Sequence, residues 1–403
     1  MSHSPQKVAL LLHDLEKGGM QAVCLKLVKA LSEHPDLEIE LVLSNQMGGF
    51  LNQLPSNLKT INLGIPFQLC LKYSYKLTVA LSRYLRQSKP DIILSNLPFV
   101  NVITLLAQGV SFSKVRTILI EHTLPLERSL EQESESSLGR RFTGVVTKMT
   151  QLLYPHAACI VTPSHGMAKE IAQAIGLKIY HNHKLEVIYN PVVDDQLHQK
   201  AKAPLEHPWF LENQPPVFLA VGRLTPQKDY ATLLHGFALL RQQMPARLII
   251  LGDGPMRSHL ESLVETLDIK ADVLLPGFVD NPYAYMSRAS AFVLSSVWET
   301  FGVVLVEALA CGCPVISTDC DYGPTEILEN GKYGILVPVR DCQALAEAME
   351  VTLAQLNYDR ENLRTRAHTF SLEQAVNQYL KIMGITESIS ALAKQEPSKT
   401  LTT

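Results

Sequence analysis

Nowhere does this 403-residue chain carry the roughly 20 consecutive apolar residues that span a bilayer, so no membrane-crossing helix is expected. An excess of charge of one sign is missing too: 36 Lys and Arg stand against 39 Asp and Glu, a formal net charge of −3. That balance argues against a nucleic-acid binder, whose phosphate partner selects a basic surplus. Cysteine offers neither a disulfide framework nor a metal knuckle. The seven are odd in number and scattered, several in apolar runs (Cys24, Cys159, Cys311), and a single residue separates Cys311 from Cys313. They read as reduced core thiols of a cytoplasmic protein with no metal site. The polar start, Met1 to Lys7, runs directly into an apolar stretch, so no signal peptide is expected.

What is present is alternation. Short apolar runs at Val8 to Leu12, Glu38 to Leu43, Asp91 to Ser95, Thr117 to Ile120 and Ala158 to Thr162 predict strands, with helical patterns between them. A second series follows at Val217 to Val221, Arg247 to Leu251, Asp272 to Leu275, Ala291 to Ser295, Val315 to Ser317 and Ile335 to Val337. Strand and helix in turn predict an α/β architecture, two Rossmann-like domains with doubly wound parallel sheets. The expected division is a first domain over 1–195, a polar linker over 196–214 and a second domain over 215–370. A helix over 371–387 is expected to pack back on the first domain, and 388–403 reads as a flexible tail.

Ligands of such sheets bind beyond the carboxyl ends of the strands, and that is where the chemically useful residues fall. Gly18-Gly19 turns a strand into a helix, which can offer backbone N–H groups to an anion. His122 follows the fourth predicted strand, Thr117 to Ile120; Ser164 and Asn190 hold corresponding positions, although Asn190-Pro191 is also an ordinary turn. Arg223 and Lys228 occupy one loop, where a guanidinium fork and a point charge together suit a diphosphate. Glu307 is the odd residue of a helix otherwise built of Val, Leu and Ala. Either it pairs with a core cation, or a ligand supplies its donors, for which vicinal sugar hydroxyls suit a carboxylate. Glu299, eight residues earlier, lies in the loop before that helix. Lys72, Tyr73, Lys76, Arg83 and Arg86, with Arg140, Arg141, Phe142 and Lys148 later, suggest basic-apolar helices that could rest on an anionic membrane surface or simply be solvated faces. Glu127 to Ser137 reads as an acidic, serine-rich loop.

The motifs Gly222-Arg223-Leu224 with Lys228-Asp229, Leu251-Gly252-Asp253-Gly254-Pro255, Leu275-Pro276-Gly277-Phe278, Glu299 through Glu307, and Gly323-Pro324-Thr325-Glu326-Ile327 occur in that order. In this the chain resembles a retaining glycosyltransferase of the GT-B fold, family four. The match covers most of residues 7 to 385 and is weaker in the first half, through Gly18-Gly19, Glu121-His122, Pro163-Ser164 and Ile188-Tyr189-Asn190. The resemblance implies that Glu307 holds the donor ribose and that Arg223 and Lys228 neutralise the diphosphate, helped by amides near Gly302 and Gly19. It implies that Glu299, with Phe301 beside it, meets the transferred sugar, that the backbone around Phe278 holds the base, and that His122 reaches the sugar from the first domain. Thr325 departs from the Arg common at that place in the family. No cofactor or metal is implied, only a nucleotide-diphospho-sugar donor (UDP-linked) and a cell-envelope or lipid-linked glycan acceptor, at the inner face of the cytoplasmic membrane. Two alternatives stand beside transfer: a nucleotide-sugar epimerase on the same scaffold, and a non-catalytic partner subunit.

Overall fold

The computed structural model describes residues 4–16, 18–66, 71–122, 137–176, 184–355 and 359–385. The expected acidic loop (all but Ser137), the tail 388–403 and the side chains of Arg140, Arg141 and Phe142 lie outside the described residues.

Two parallel sheets organise the chain. The first runs through β1 (Gln6–Leu12), β2 (Leu37–Leu43), β3 (Lys59–Asn62), β4 (Ile92–Asn96), β5 (Arg116–Ile120), β6 (Cys159–Thr162) and β7 (Leu185–Val187), in the order β3-β2-β1-β4-β5-β6-β7. The second contains β8 (Val217–Val221), β9 (Arg247–Leu251), β10 (Val273–Gly277), β11 (Ala291–Leu294), β12 (Val315–Thr318) and β13 (Ile335–Val337), in the order β10-β9-β8-β11-β12-β13. Val8 to Leu12 are buried without exception, as a parallel strand covered by helices on both faces must be. Strand order reverses between β1 and β4, and again between β8 and β11, which opens a crevice at the carboxyl edge of each sheet.

Edge strand β3 escapes sequence reading because four residues, two of them exposed and none buried, give no usable alternation. The stretch read as a linker is structured. Asp194 caps a helix over Asp195–Ala201, accepting from the Leu197 amide at 2.8 Å, and Leu197, Trp209 and Phe210 pack with the core of the second domain. The crossing itself is short. Val192 and Val193 both donate to Phe370 O, at 3.0 and 3.1 Å, and Leu372 N returns to Val193 O at 2.9 Å, so the outgoing and returning chains lie side by side.

The helix Leu372–Met383 then lies on α1 (Gly19–Ser32). Tyr379 and Met383 are buried with Cys24, Leu27 and Leu31 in the first domain's core. Arg116, at the start of β5, ties down the end of this helix by donating to Met383 O at 2.8 Å and Ile382 O at 3.1 Å.

Candidate active site

The residues singled out in the second half of the chain gather at the carboxyl edge of the second sheet. The loop after β8 carries Arg223 and Lys228 and sits directly on the loop after β9: Leu224 N donates to Asp253 O at 3.0 Å, and Met256 N to Leu224 O at 2.9 Å. Lys228 reaches Glu299, its Nζ 2.5 Å from Oε1, and Ser296 Oγ donates to the same oxygen at 2.6 Å. Ser295 Oγ and the amide of Val297 bind the carbonyls of Lys228 and Gln227, at 2.7 and 2.8 Å, which fixes the two loops to each other. Glu299 is 7% exposed; Arg223 is exposed and makes no side-chain ion pair among the described residues.

Phe301 is buried beneath the start of the next helix, Val303–Ala310. Gly302 precedes that helix with φ 97°, a left-handed conformation that glycine adopts without strain. Glu307, on this helix, is half-buried, and it accepts from the Tyr283 hydroxyl at 2.8 Å through Oε1. Burial raises its pKa; the Tyr283 bond and the positive charge of Lys26, on α1 of the other domain, oppose that rise. Neither Glu299 nor Glu307 has a protein donor on Oε2 among the described residues, so each carboxylate keeps an oxygen for a ligand. Phe278 follows β10 and is 67% exposed.

On the first domain, Gly19 opens α1 and is exposed, with Gly18 as the extended residue before it. His122 is buried beyond β5; its Nε2 lies 3.0 Å from Asn96 Oδ1 and 3.8 Å from Cys24 Sγ, while Nδ1 has no partner. Glu121 turns the other way, accepting from Tyr154 OH and from Asn101 Nδ2 at 2.8 Å, and burial pushes its carboxyl up to about 7.

The domains meet in a polar and aromatic block. Ser164 caps the helix His165–Ala174 and donates to Thr300 O at 3.4 Å, so it contacts the loop that carries Glu299. Glu326 accepts from the His165 amide at 2.9 Å and the Tyr189 hydroxyl at 2.8 Å; its charge sits at the N-terminus of that helix, where the helix dipole favours it. Tyr189 stacks on Phe301 with ring centroids 5.8 Å apart. The helix expected after Gly323 is a single turn, Pro324–Ile327, because Glu329 and Asn330 go left-handed at φ 46° and 55°. Thr325 donates to Asp319. Asp319-Cys320-Asp321 is an Asp-x-Asp string that the motif reading passes over, and among the described residues no three His, Cys, Asp or Glu side chains gather to hold a metal.

Sequence reasoning thus places Arg223, Lys228, Glu299, Phe301, Gly302 and Glu307 around one edge, and Gly19 and His122 on the other domain. It misses Ser296, Tyr283, Asn96 and Lys26, common residue types whose partners are distant in the chain. Tyr73, counted among the membrane-facing residues, is instead a core residue stacked on Phe99 at 5.8 Å.

Comparison with known proteins bears on the family and the fold. The model of glycosyl transferases group 1 matches residues 205–369, and that of glycosyltransferase family 4 matches residues 17–196. The chain is 28% identical over 388 residues to a Campylobacter jejuni N-acetylgalactosamine-N,N'-diacetylbacillosaminyl-diphospho-undecaprenol 4-alpha-N-acetylgalactosaminyltransferase, covering 94% of this chain and 99% of that one. It is 30% identical over 293 residues to an uncharacterized glycosyltransferase of Methanocaldococcus jannaschii, covering 67% and 68%. Among solved structures, Anabaena HepE in complex with UDP-glucose superposes with a TM-score of 0.74 at 19% identity, over 94% of this chain and all of that one. The lipopolysaccharide outer core galactosyltransferase WaaB gives 0.72 at 20%, over 94% and 99%.

Proposed function

The chain belongs to the group 1, family 4 glycosyltransferases, and from that premise we propose that it moves a hexose or N-acetylhexosamine from a UDP-sugar to a lipid-linked or other cell-envelope glycan. The observation that carries this reading is the pair of carboxylates, Glu299 and Glu307, on either side of Gly302, each with one oxygen bound by the protein and one without a donor among the described residues. Ribose hydroxyls fit Glu307 and sugar hydroxyls fit Glu299, since an ionised carboxylate is an acceptor only.

In the proposed reaction the bond from the sugar's anomeric carbon to the diphosphate breaks, and a bond to the acceptor oxygen forms on the same face. The acceptor's proton passes to the leaving phosphate. Arg223, Lys228 and amides near Gly302 and Gly19 meet the charge that grows on the diphosphate, so no metal is required of the mechanism. The undecaprenol-linked substrate in the Campylobacter protein's name and the UDP-glucose bound to HepE support the acceptor and donor classes.

Thermal-shift titration with UDP-, GDP- and ADP-sugars, with and without magnesium, tests the donor side. UDP-sugars are expected to raise Tm without metal, and Glu307→Ala to weaken that binding by about 10–100-fold, the loss of a charge-assisted hydrogen-bond pair. No stabilisation by any series would leave the partner-subunit reading in front.

Membrane contact is part of the proposal. Lys72, Tyr75, Lys76, Val79, Arg83 and Arg86 share the exposed face of α2 (Leu71–Ser88), and Val145, Lys148 and Leu152 are exposed on the helix Ser137–Leu153. No described helix is long and apolar enough to cross a membrane. Co-sedimentation with phosphatidylglycerol vesicles is expected, and the apparent affinity should fall about 30-fold or more in Lys76→Glu/Arg83→Glu, since two basic residues at near 1 kcal/mol each are lost. Equal recovery with neutral vesicles would sink this part.

A further inference from the structure

Asn96 ends β4 and is fully buried. The backbone sets the orientation of its amide: Nδ2 donates to Leu11 O at 3.1 Å, and turning the amide over would press one carbonyl oxygen on another. Oδ1 therefore faces His122, 3.0 Å from Nε2, with the Cys24 thiol as a second donor at 3.5 Å. Two bare acceptors repel at that distance, so Nε2 carries the imidazole proton. A neutral ring has only one, and burial pushes the pKa of His122 down to about 4, so near neutral pH the ring does not take a second. What remains is a lone pair on Nδ1, a buried atom with no partner.

We propose that Asn96 is a positioning residue that locks the His122 proton on Nε2, so that Nδ1 accepts a hydroxyl of the bound sugar and turns away an anionic substituent. This rests on reading His122 as a sugar contact. The groups facing the ring leave the lock undisturbed. Cys24 comes from α1 as a neutral thiol, its pKa pushed up to about 12 by burial. Glu121, next in the chain, binds Tyr154 and Asn101 through Oε1 and makes no hydrogen bond to the ring. Among the described residues no charged side chain contacts the His122 ring.

Asn96→Asp sets a carboxylate against Nε2–H, favours the imidazolium and so puts a proton on Nδ1, which can then no longer accept. The wild-type kcat/KM should show no His122 limb above about pH 5.5, because the ring titrates lower. Asn96→Asp should lose about 10-fold or more between roughly pH 8 and pH 6 and regain it on return. A variant profile that superposes on the wild type would overturn the proposal. Long-range 1H–15N spectra of the ¹⁵N-histidine-labelled wild-type protein, assigned by comparison with His122→Ala, should show Nε2 protonated and Nδ1 bare. A proton on Nδ1 would overturn it regardless of how the Asp variant folds. An unchanged kcat/KM in His122→Ala would instead remove the sugar contact, with the spectrum still deciding the role of Asn96.

Discussion

Lys228→Ala is expected to slow sugar transfer by about 10²–10³-fold at saturating donor, the usual loss when one fixed charge-stabilising group is removed from a developing anion. The ground state explains why kcat falls more than donor affinity. Lys228 is paired with Glu299 at 2.5 Å, so its ammonium is held in place and costs little to orient when the diphosphate departs. Removing it also leaves Glu299, 7% exposed, with Ser296 as its remaining side-chain donor. Stranding a buried charge costs up to about 3–5 kcal/mol, and less here because the pair lies at a cleft edge and is partly hydrated. Tm should therefore fall as well. Glu299→Gln introduced into the same chain should recover Tm, since it removes the stranded charge, while kcat stays low. A single variant with wild-type kcat would mean that Lys228 serves only to hold the two loops together.

Gly323→Ala should have the second large effect, through space rather than backbone freedom. A Cβ at this position would lie 1.6 Å from Phe301 O and 2.3 Å from Phe301 C, both backbone atoms that cannot rotate away. Something must move, and what moves is the segment that supplies Thr300, Phe301 and the start of the Glu307 helix. Destabilisation of about 4–5 kcal/mol, the upper end for a single substitution, is expected in urea unfolding. Protein that still folds should have lost donor-induced stabilisation. Near-wild-type stability together with ordinary UDP-sugar binding would show that the close approach of the two loops is dispensable.

How much of this was readable in advance follows from where information sits in such a chain. The loops after β8, β9 and β10 and the Glu299-to-Glu307 stretch are contiguous, so their spacing carries the site. Glu326 was visible as a motif member, yet its partners, the His165 amide and Tyr189 hydroxyl, are more than 130 residues away, and no local pattern announces a bond across domains. Asn96 and Cys24 resemble ordinary core residues for the same reason. Tyr73 shows the opposite failure: among Lys72, Lys76, Arg83 and Arg86 it reads as part of a basic-apolar surface, although its ring packs on Phe99. The stretch 196–214 misled because polar composition marks exposure, whereas a few residues, Leu197, Ala201, Trp209 and Phe210, suffice to hold it on the core.

The return of the helix Leu372–Met383 to α1 has a consequence for biosynthesis. A ribosome finishes the first sheet when β7 has emerged, yet Ala375, Tyr379 and Met383 of that core are translated almost two hundred residues later. Until then Cys24, Leu27 and Leu31 present an uncovered apolar face on the nascent chain, the kind of surface that chaperones engage. The second domain, continuous from the helix Asp195–Ala201 onward, can close its own sheet first, and the domain synthesised earlier is the one completed last.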